Sequence, residues 1–154
     1  MNLERVDMID RVVEIDASFT RIVCSSTVPV ASPVFEGHFP GLPILPGVLL
    51  IETMAQAAGI LLLVRDRLQR MPFLATVQNA KFRRFIGPLD ELTASVALVQ
   101  EGAGYAELKA TLICDDRPSS EAVLRLKFAP FPNVEIEYHA RGLVQRLIPS
   151  LLEH

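Results

Sequence analysis

Apolar residues on either side of the middle of the chain follow patterns typical of β-strands. Runs rich in Val and Ile occupy residues 5–15 and 20–30, with a polar break between them, and predict two strands. Turn residues such as Gly102-Ala103-Gly104 separate further runs, which predicts a meander of antiparallel strands. These later runs lie at residues 73–85, 91–101, 105–114 and 121–128.

Between the two groups of strands lies an apolar run from residue 46 to about residue 68. It leaves almost no polar face, and a helix that is apolar nearly all round is a buried helix. Pro46 suits the first turn, because the N–H group that it lacks would have no partner there. The preceding residues 31–45 are rich in Pro and Gly and predict a loop. Cations near the end of the run suit the negative pole of the helix dipole: Arg65, Arg67 and Arg70.

Two strands, one long buried helix and four more strands predict an α+β fold, in which an antiparallel sheet wraps around a central helix. We assign this domain to residues 1–129 and treat residues 130–154 as a C-terminal extension. Apolar residues recur in the extension at helical spacing, which predicts a short amphipathic helix packed on the domain or on a second subunit. They are Leu143, Val144, Leu147, Ile148, Leu151 and Leu152. A membrane-surface role is disfavoured, because Arg141 and Arg146 are the only cations on the polar face.

Composition excludes several classes of protein. Half of the residues are hydrophobic, which indicates a second burial surface, such as an oligomer interface or an acyl-chain pocket. Proline, glycine, Glu52 and Gln56 interrupt residues 45–64, which therefore fall short of the roughly 20 apolar residues of a membrane span. We expect no signal peptide, and we expect Cys24 and Cys114 to be reduced core thiols of a cytoplasmic protein. A net charge of −3 argues against bulk nucleic-acid binding.

Two ionisable residues stand out in the centre of the chain. His38 lies in the loop, whereas the other histidines are His139 and His154. Glu52 is the only charged residue between His38 and Arg65. A carboxylate on an apolar helix is expected to be buried, and burial raises its pKa and favours the protonated form. The two residues are therefore a candidate base and acid.

The spacing of these residues predicts how a site would be assembled. His38 precedes the helix and Glu52 lies on its second turn, so the two side chains need not meet within one subunit. If the helices of two subunits pack together, His38 of one faces Glu52 of the other. The amides of Gly47 and Val48 begin the helix, where unpaired N–H groups and the dipole favour an anion. Gln56, one turn after Glu52, is placed to orient it by a hydrogen bond.

Such a set of groups suits proton abstraction beside a thioester carbonyl, followed by loss of a β-hydroxyl. One helix amide directed at the developing oxyanion is worth about 3 kcal/mol. Each residue also has a structural interpretation. His38 alone would tie down a Pro- and Gly-rich loop, Glu52 alone would complement the helix dipole, and Gln56 would add structural polarity. The residues by themselves leave both roles open.

The loop and helix together carry the pattern Gly37-His38-Phe39-Pro40-Gly41-x-Pro43-x-x-Pro46-Gly47-Val48-Leu49-x-x-Glu52-x-x-Ala55-Gln56. This pattern resembles the signature of the bacterial 3-hydroxyacyl-[acyl-carrier-protein] dehydratases of the hot-dog fold. The resemblance extends from about Val6 to Phe128. It implies a hot-dog dimer, often assembled into a hexamer, with each active site shared across the dimer. It also implies His38 as base for the α-proton, Glu52 as acid for the leaving water and the Gly47 amide as oxyanion donor.

The chain departs from the family pattern at residues 4–9, at the turn of residues 87–90 and in its longer tail after Phe128. These departures concern chain-length specificity and the tunnel gate rather than His38 and Glu52. The variant resembles divergent dehydratases associated with the very-long-chain fatty acids of lipid A. The preferred chain length, and the choice between dimer and hexamer, stay open.

The resemblance further implies a substrate carried on the phosphopantetheine arm of an acyl-carrier protein, with no metal or redox cofactor. Acyl-carrier proteins are acidic, so a basic docking patch is expected near the tunnel mouth. Candidates are Lys81, Arg83 and Arg84, with Arg65 and Arg67 behind them. Period-two alternation places Lys81 and Arg83 on one strand face and Arg84 on the other. Ordinary solvated surface charge is the alternative.

Two other functions are compatible with the same fold. One is a hot-dog thioesterase or hydratase, and the intact spacing from His38 to Glu52 argues against the thioesterase. The other is a non-catalytic acyl-binding protein. Retention of both residues argues against it, because a binding protein has no need of a buried carboxylate.

Overall fold

The computed structural model describes residues 1–151 of the 154-residue chain. A short 3-10 turn at Pro149–Leu151 ends the described part. The preceding strands and helices are β1 (Arg11–Ile15), β2 (Arg21–Thr27), α1 (Pro33–Gly37), α2 (Gly47–Arg65), β3 (Met71–Phe82), β4 (Glu91–Gly102), β5 (Tyr105–Cys114), β6 (Arg117–Ala129) and α3 (Val134–Leu147).

The six strands form one antiparallel sheet in the order β1-β2-β4-β5-β6-β3. β2 and β3 flank α2 along the chain, but β3 lies at the far edge, beyond β6. The connection through α2 therefore crosses one face of the sheet. The predicted fold, an antiparallel sheet wrapped around a long central helix, is confirmed.

The core lies between α2 and the inward face of the sheet. Strand β5 shows the alternation that this burial requires, with Ala106, Leu108, Ala110 and Leu112 all inside. They join one cluster with the fully buried Met54, Leu61 and Leu62 of α2. Among the described residues α2 is the one helix whose length and mean hydropathy match a membrane span, although Glu52, Gln56 and Gly59 interrupt its apolar run. Here it is the buried core helix that the sequence predicts.

The predicted first strand is wrong over its first half. Residues 3–6 form a turn, with an antiparallel bridge between Asn2 and Asp7, and β1 begins only at Arg11. Met8 and Ile9 are buried nonetheless. Their apolar character therefore reflects burial in an irregular segment rather than strand pairing.

The predicted loop over residues 31–45 contains a short helix, α1. Ser32 caps it, because its hydroxyl oxygen accepts a hydrogen bond from the Val34 amide at 3.2 Å, and Pro33 occupies the first helical position. The sequence predicts a loop here because residues 31–45 contain many Pro and Gly residues, although Ser32 and Pro33 are residues typical of a helix start. The consequence for the site is that His38 directly follows a helix.

Strand β6 begins at Arg117, earlier than the predicted residue 121. Asp115 and Asp116 have φ angles of 51° and 58° and form the tight connection between β5 and β6. Positive φ at both central residues is the requirement of the favoured two-residue hairpin turn, and Asp tolerates it better than most residues. The sequence predicts a turn over the whole of residues 115–118, although only the two aspartates are needed.

Residues after β6 form α3. The Asn133 side chain accepts a hydrogen bond from the Ile136 amide at 2.9 Å and so caps the helix. Ala140 and Val144 are buried in a cluster with Leu63 and Leu68, at the end of α2. Leu152, which we assigned to the terminal apolar face, lies outside the described residues. The division of the chain at residue 129 stays a prediction.

Candidate active site

His38 is held in place by both its backbone and its ring. As the residue after α1, it donates its amide to the Val34 carbonyl at 3.1 Å, and its own carbonyl accepts from the Ile44 amide at 3.0 Å. Its ring nitrogen Nδ1 lies 2.8 Å from the Ile44 carbonyl oxygen. Because a carbonyl only accepts, Nδ1 carries the proton, and Nε2 of the neutral ring is left free to accept one.

A cavity of about 390 Å³ surrounds the imidazole. The Phe39 ring stacks on the His38 ring, with centroids 4.0 Å apart. Apart from Arg84, the other side chains of this cavity are mainly apolar, and they come from the loop, from α2 and from the end of β3: Leu42, Ile44, Leu45, Leu50, Phe82, Phe85 and Ile86. The imidazole is thus bordered mainly by apolar side chains, several of which, Phe39, Phe82 and Phe85 among them, are themselves exposed at the mouth of the cavity.

The first turn of α2 meets the same cavity at Gly47. This turn contains no acidic residue, and no side chain in the described part of the chain caps it. Its N–H groups are thus the natural anion site of a helix N-terminus. A Cβ added to Gly47 would lie 3.2 Å from Cε1 of Phe82, so the glycine lets that ring pack close to the helix start. Val48 is exposed.

Glu52 and Gln56 form the second half of the predicted site. Gln56 donates from Nε2 to Oε1 of Glu52 at 2.9 Å, as its position one turn later predicts. The same Nε2 donates to the Val6 carbonyl at 2.6 Å, and Oε1 of Gln56 accepts from the Met8 amide at 2.9 Å. Gln56 therefore holds the carboxylate and the N-terminal segment at once.

The prediction that Glu52 is buried is wrong for the single chain, because its side chain is only partly covered. It lines a second cavity, of about 670 Å³, together with Gln56. The start of β3 and helix α3 form two other walls of this cavity. His38 lies in the other cavity, so one chain does not bring the candidate base and the candidate acid together.

The predicted basic patch is engaged in ion pairs. Lys81 and Arg83 both approach Oε1 of Glu121, at 3.8 and 2.9 Å, whereas Arg84 pairs with Asp115 at 3.0 Å. Lys81 and Arg83, predicted to share one strand face, thus pair with one acid, and Arg84, predicted on the other face, pairs with a different acid. Arg83 lies just beyond the end of β3. Arg84 also lines the His38 cavity. Arg65, at the opposite end of α2 from Gly47, pairs with Glu101 at 2.9 Å.

The two cysteines are free and buried. Burial raises the pKa of the Cys24 thiol to about 12 and also raises the pKa of the Cys114 thiol, so neither is a thiolate nucleophile near neutral pH. Within residues 1–151, no group of three His, Cys, Asp or Glu side chains is arranged to hold a metal ion.

Sequence reasoning missed three contributors to these sites. Val6 and Met8 act through backbone groups, which leave no mark on residue type. The apolar pattern marks Phe82 only as an ordinary strand residue. Its exposure on an edge strand is visible only once the strand order is known.

The chain matches the family model of the FabA-like domain over residues 2–122. Its relatives include the 3-hydroxyacyl-[acyl-carrier-protein] dehydratase FabZ of Oenococcus oeni, 38% identical over 123 residues, which cover 78% of this chain and 88% of the relative. The protein of the same name from Chlamydia caviae is 41% identical over 108 residues, or 67% of this chain and 70% of the relative.

Solved structures share the fold at much lower identity. The dehydratase heterocomplex ApeI:P from Xenorhabdus doucetiae superposes with a TM-score of 0.66 at 16% identity, over 89% of this chain and 90% of that chain. A mutant thioesterase from Pseudomonas aeruginosa superposes with a TM-score of 0.62 at 18% identity, over 83% of this chain and 85% of that chain. These likenesses concern the fold and confirm the hot-dog arrangement. The family follows from the sequence matches: the chain belongs to the FabA-like domain family, as a relative of the FabZ 3-hydroxyacyl-[acyl-carrier-protein] dehydratases.

Proposed function

We propose that the protein dehydrates (3R)-3-hydroxyacyl-[acyl-carrier-protein] to the trans-2-enoyl form in fatty acid biosynthesis. The named activity of its relatives supports this function. The structural observation that supports this function is the hydrogen bonding of the two candidate groups, His38 and Glu52. Nδ1 of His38 is occupied by the Ile44 carbonyl, so Nε2 is the base, and Gln56 holds Glu52 in an otherwise largely apolar helix.

The reaction follows from these groups. Nε2 of His38 takes the proton from carbon 2, and the carbonyl oxygen of the thioester gains negative charge beside the Gly47 amide. The electron pair of the C2–H bond forms the C2–C3 double bond while the C3–O bond breaks. The departing hydroxyl takes a proton from the protonated carboxyl of Glu52 and leaves as water. A proton passing back from His38 to Glu52 completes the cycle.

The active site is shared by two subunits of a homodimer. Support comes from β3, an edge strand with exposed apolar side chains, among them Phe73, Val77 and Phe82. Such an edge is normally covered. β3 begins at the Glu52 cavity with Met71 and ends at the His38 cavity with Phe82. Antiparallel pairing of two β3 edges about a two-fold axis sets the start of one strand against the end of the other. Each Glu52 then faces the His38 cavity of the partner subunit.

The substrate is carried by an acyl-carrier protein, whose acidic surface suits the exposed cations Lys81 and Arg83 and the half-exposed Arg84. No metal or redox group enters the chemistry above. We place the reaction in the cytoplasm, in line with the two free, buried thiols. The narrower assignment to the lipid A branch, and the further assembly into a hexamer, stay predictions from the sequence.

A complementation experiment tests the function and the shared site together. His38→Ala and Glu52→Gln subunits are assayed separately and after co-expression, with 3-hydroxyacyl carriers as substrates. Each variant alone should lose at least about a hundredfold in activity. With random pairing about half of the dimers are mixed, and one of the two sites in each mixed dimer has both groups. About a quarter of wild-type activity should therefore return.

The outcomes separate the claims. No recovery on mixing, with mixed dimers demonstrated by mass, would place both groups of one site in a single chain and overturn the shared site. Wild-type protein that binds acyl carriers without dehydrating them would overturn the enzyme. Release of free carrier thiol would indicate a thioesterase instead.

A further inference from the structure

The N-terminal segment, residues 2–8, contacts the supports of both candidate groups. It is a turn closed by two backbone hydrogen bonds between Asn2 and Asp7, at 2.7 and 2.9 Å, and the buried Leu3 anchors it in the main core cluster. On the basis of the proposed function, we propose that this segment positions both the base and the acid and that Arg146 of α3 holds the segment in place.

One connection leads from the segment to the base. The buried Ser32 hydroxyl donates to Oε1 of Glu4 at 2.8 Å, and the same hydroxyl caps α1. Helix α1 ends just before His38, whose amide donates to the Val34 carbonyl. A helix of five residues has little stability of its own, so a hydrogen bond at its cap helps to fix the position of His38. Glu4 is therefore a positioning residue for the base.

A second connection leads from the segment to the acid. The Val6 carbonyl and the Met8 amide are both bonded to the Gln56 side chain, at 2.6 and 2.9 Å. That side chain in turn donates to Oε1 of Glu52. A shift of the segment therefore turns the Gln56 amide and moves the carboxyl group that it holds.

Helix α3 holds the segment from outside. Asp7 lies between the two residues that bond Gln56, and Nη2 of Arg146 lies 3.2 and 3.4 Å from its carboxylate oxygens. Val144 is buried in the cluster at the end of α2, so Arg146 extends from a fixed helix. Because α3 lies beyond the residues 2–122 that match the family model, this contact adds a support from outside the matched domain.

Charge reversal tests the contact with α3. Arg146→Asp and Asp7→Arg each set like charges against each other, whereas the double variant restores an opposite pair. Each single variant should lower kcat by about threefold to tenfold with KM within about twofold, and the double variant should recover kcat to within about twofold of wild type. Arg141→Asp is the control, because Arg141 pairs with Glu137 on the same helix and is 50% exposed, against 54% for Arg146. It should leave kcat unchanged.

Two substitutions of Glu4 test the connection to the base. Glu4→Gln keeps an oxygen that accepts from the Ser32 hydroxyl and should retain kcat within about twofold, whereas Glu4→Met should lower kcat by about threefold to tenfold. A rise in KM at unchanged kcat, in either series, would assign these charges to carrier binding and overturn the inference. Equal kcat and KM in wild type and all variants would overturn it as well.

Mixed dimers show which group each connection serves. In dimers of His38→Ala and Glu52→Gln subunits, the working site takes its base from the Glu52→Gln chain and its acid from the His38→Ala chain. Glu4→Met should therefore lower the recovered activity only on the Glu52→Gln chain, and Arg146→Asp only on the His38→Ala chain. Equal losses in both placements would indicate general destabilisation and overturn the positioning roles.

Amide hydrogen exchange measured by NMR separates this inference from the proposed function, which fails if wild-type protein shows no dehydration. Arg146→Asp should speed exchange of the Met8 amide by about threefold or more, Glu4→Met should do the same for the His38 amide, and Arg141→Asp should change neither. Unchanged exchange at both amides would overturn the inference. If Arg146→Asp does not fold, Arg146→Gln removes the ion pair without adding repulsion and takes its place.

Discussion

Replacing Gln56 by Met removes three hydrogen bonds while nearly preserving the shape of the side chain. The bonds join Gln56 to the Glu52 carboxylate, the Val6 carbonyl and the Met8 amide. A protein hydrogen bond contributes about 1 kcal/mol net, so the three bonds together are worth about 3 kcal/mol. Since Gln56 is only partly buried and water replaces some of the lost partners, we expect the free energy of unfolding to fall by about 2 kcal/mol.

The same substitution should lower activity through the position of Glu52. A catalytic group displaced by about 1 Å can cost a hundredfold, so we expect kcat to fall by about ten- to a hundredfold. KM should change little, because Gln56 contacts the acid rather than the carrier. A merely structural role would leave kcat per folded molecule unchanged, so this split between kcat and KM identifies a positioning residue.

Urea unfolding and steady-state kinetics measure the two effects. Gln100→Met is the matched control, because the Gln100 amide makes one long, exposed hydrogen bond, of 3.3 Å, to the Tyr105 hydroxyl. It should change stability by less than about 0.5 kcal/mol and leave kcat unaltered. A Gln56→Met protein as stable and as active as the Gln100→Met protein would refute the reasoning.

Two further substitutions test other parts of the structure. Gly47→Ala places a Cβ 3.2 Å from the Phe82 ring and should lower kcat by about tenfold, with a change in the free energy of unfolding of less than about 1 kcal/mol. Adding Phe82→Leu should restore activity in a double-mutant cycle, whereas additive losses would argue against the contact. The Thr20 hydroxyl, then the Ser18 hydroxyl and the Arg21 amide, donate to Asp16 and hold the pKa of that carboxyl well below its usual range. Its contribution to stability is present above about pH 4 and lost as pH falls. Acid unfolding should therefore show the stability gap between wild type and Asp16→Asn closing below pH 4, and a constant gap would contradict this.

Several elements were predictable because local signals and tertiary burial agree. Strand β5 has the predicted bounds, since it lies between a glycine turn and an aspartate turn. α2 was predictable because it is apolar on every side and its sheet covers it. The hydrogen bond from Gln56 to Glu52 follows from helical spacing alone.

What was not predictable depends on contacts between distant residues. Met8 looks like a strand residue, but its amide is satisfied by a side chain 48 residues away. The partial exposure of Glu52 depends on a cavity bounded by α3, which no local pattern places there. To predict that His38 and Glu52 lie in two separate cavities, one must know the strand order, which places β3 at the edge of the sheet.

The position of α2 along the chain matters while the protein is still being synthesised. Four of the six strands follow it, so the helix leaves the ribosome before most of the sheet that will cover it. At that stage the nascent chain exposes a segment whose length and mean hydropathy match those of a membrane span, although polar residues and glycine interrupt its apolar run. Glu52 is its one charged residue before Arg65, and an ionised carboxylate opposes transfer into hydrocarbon. The carboxyl group proposed for the chemistry is therefore also the group within this helix that most opposes its transfer into a bilayer before the sheet encloses it.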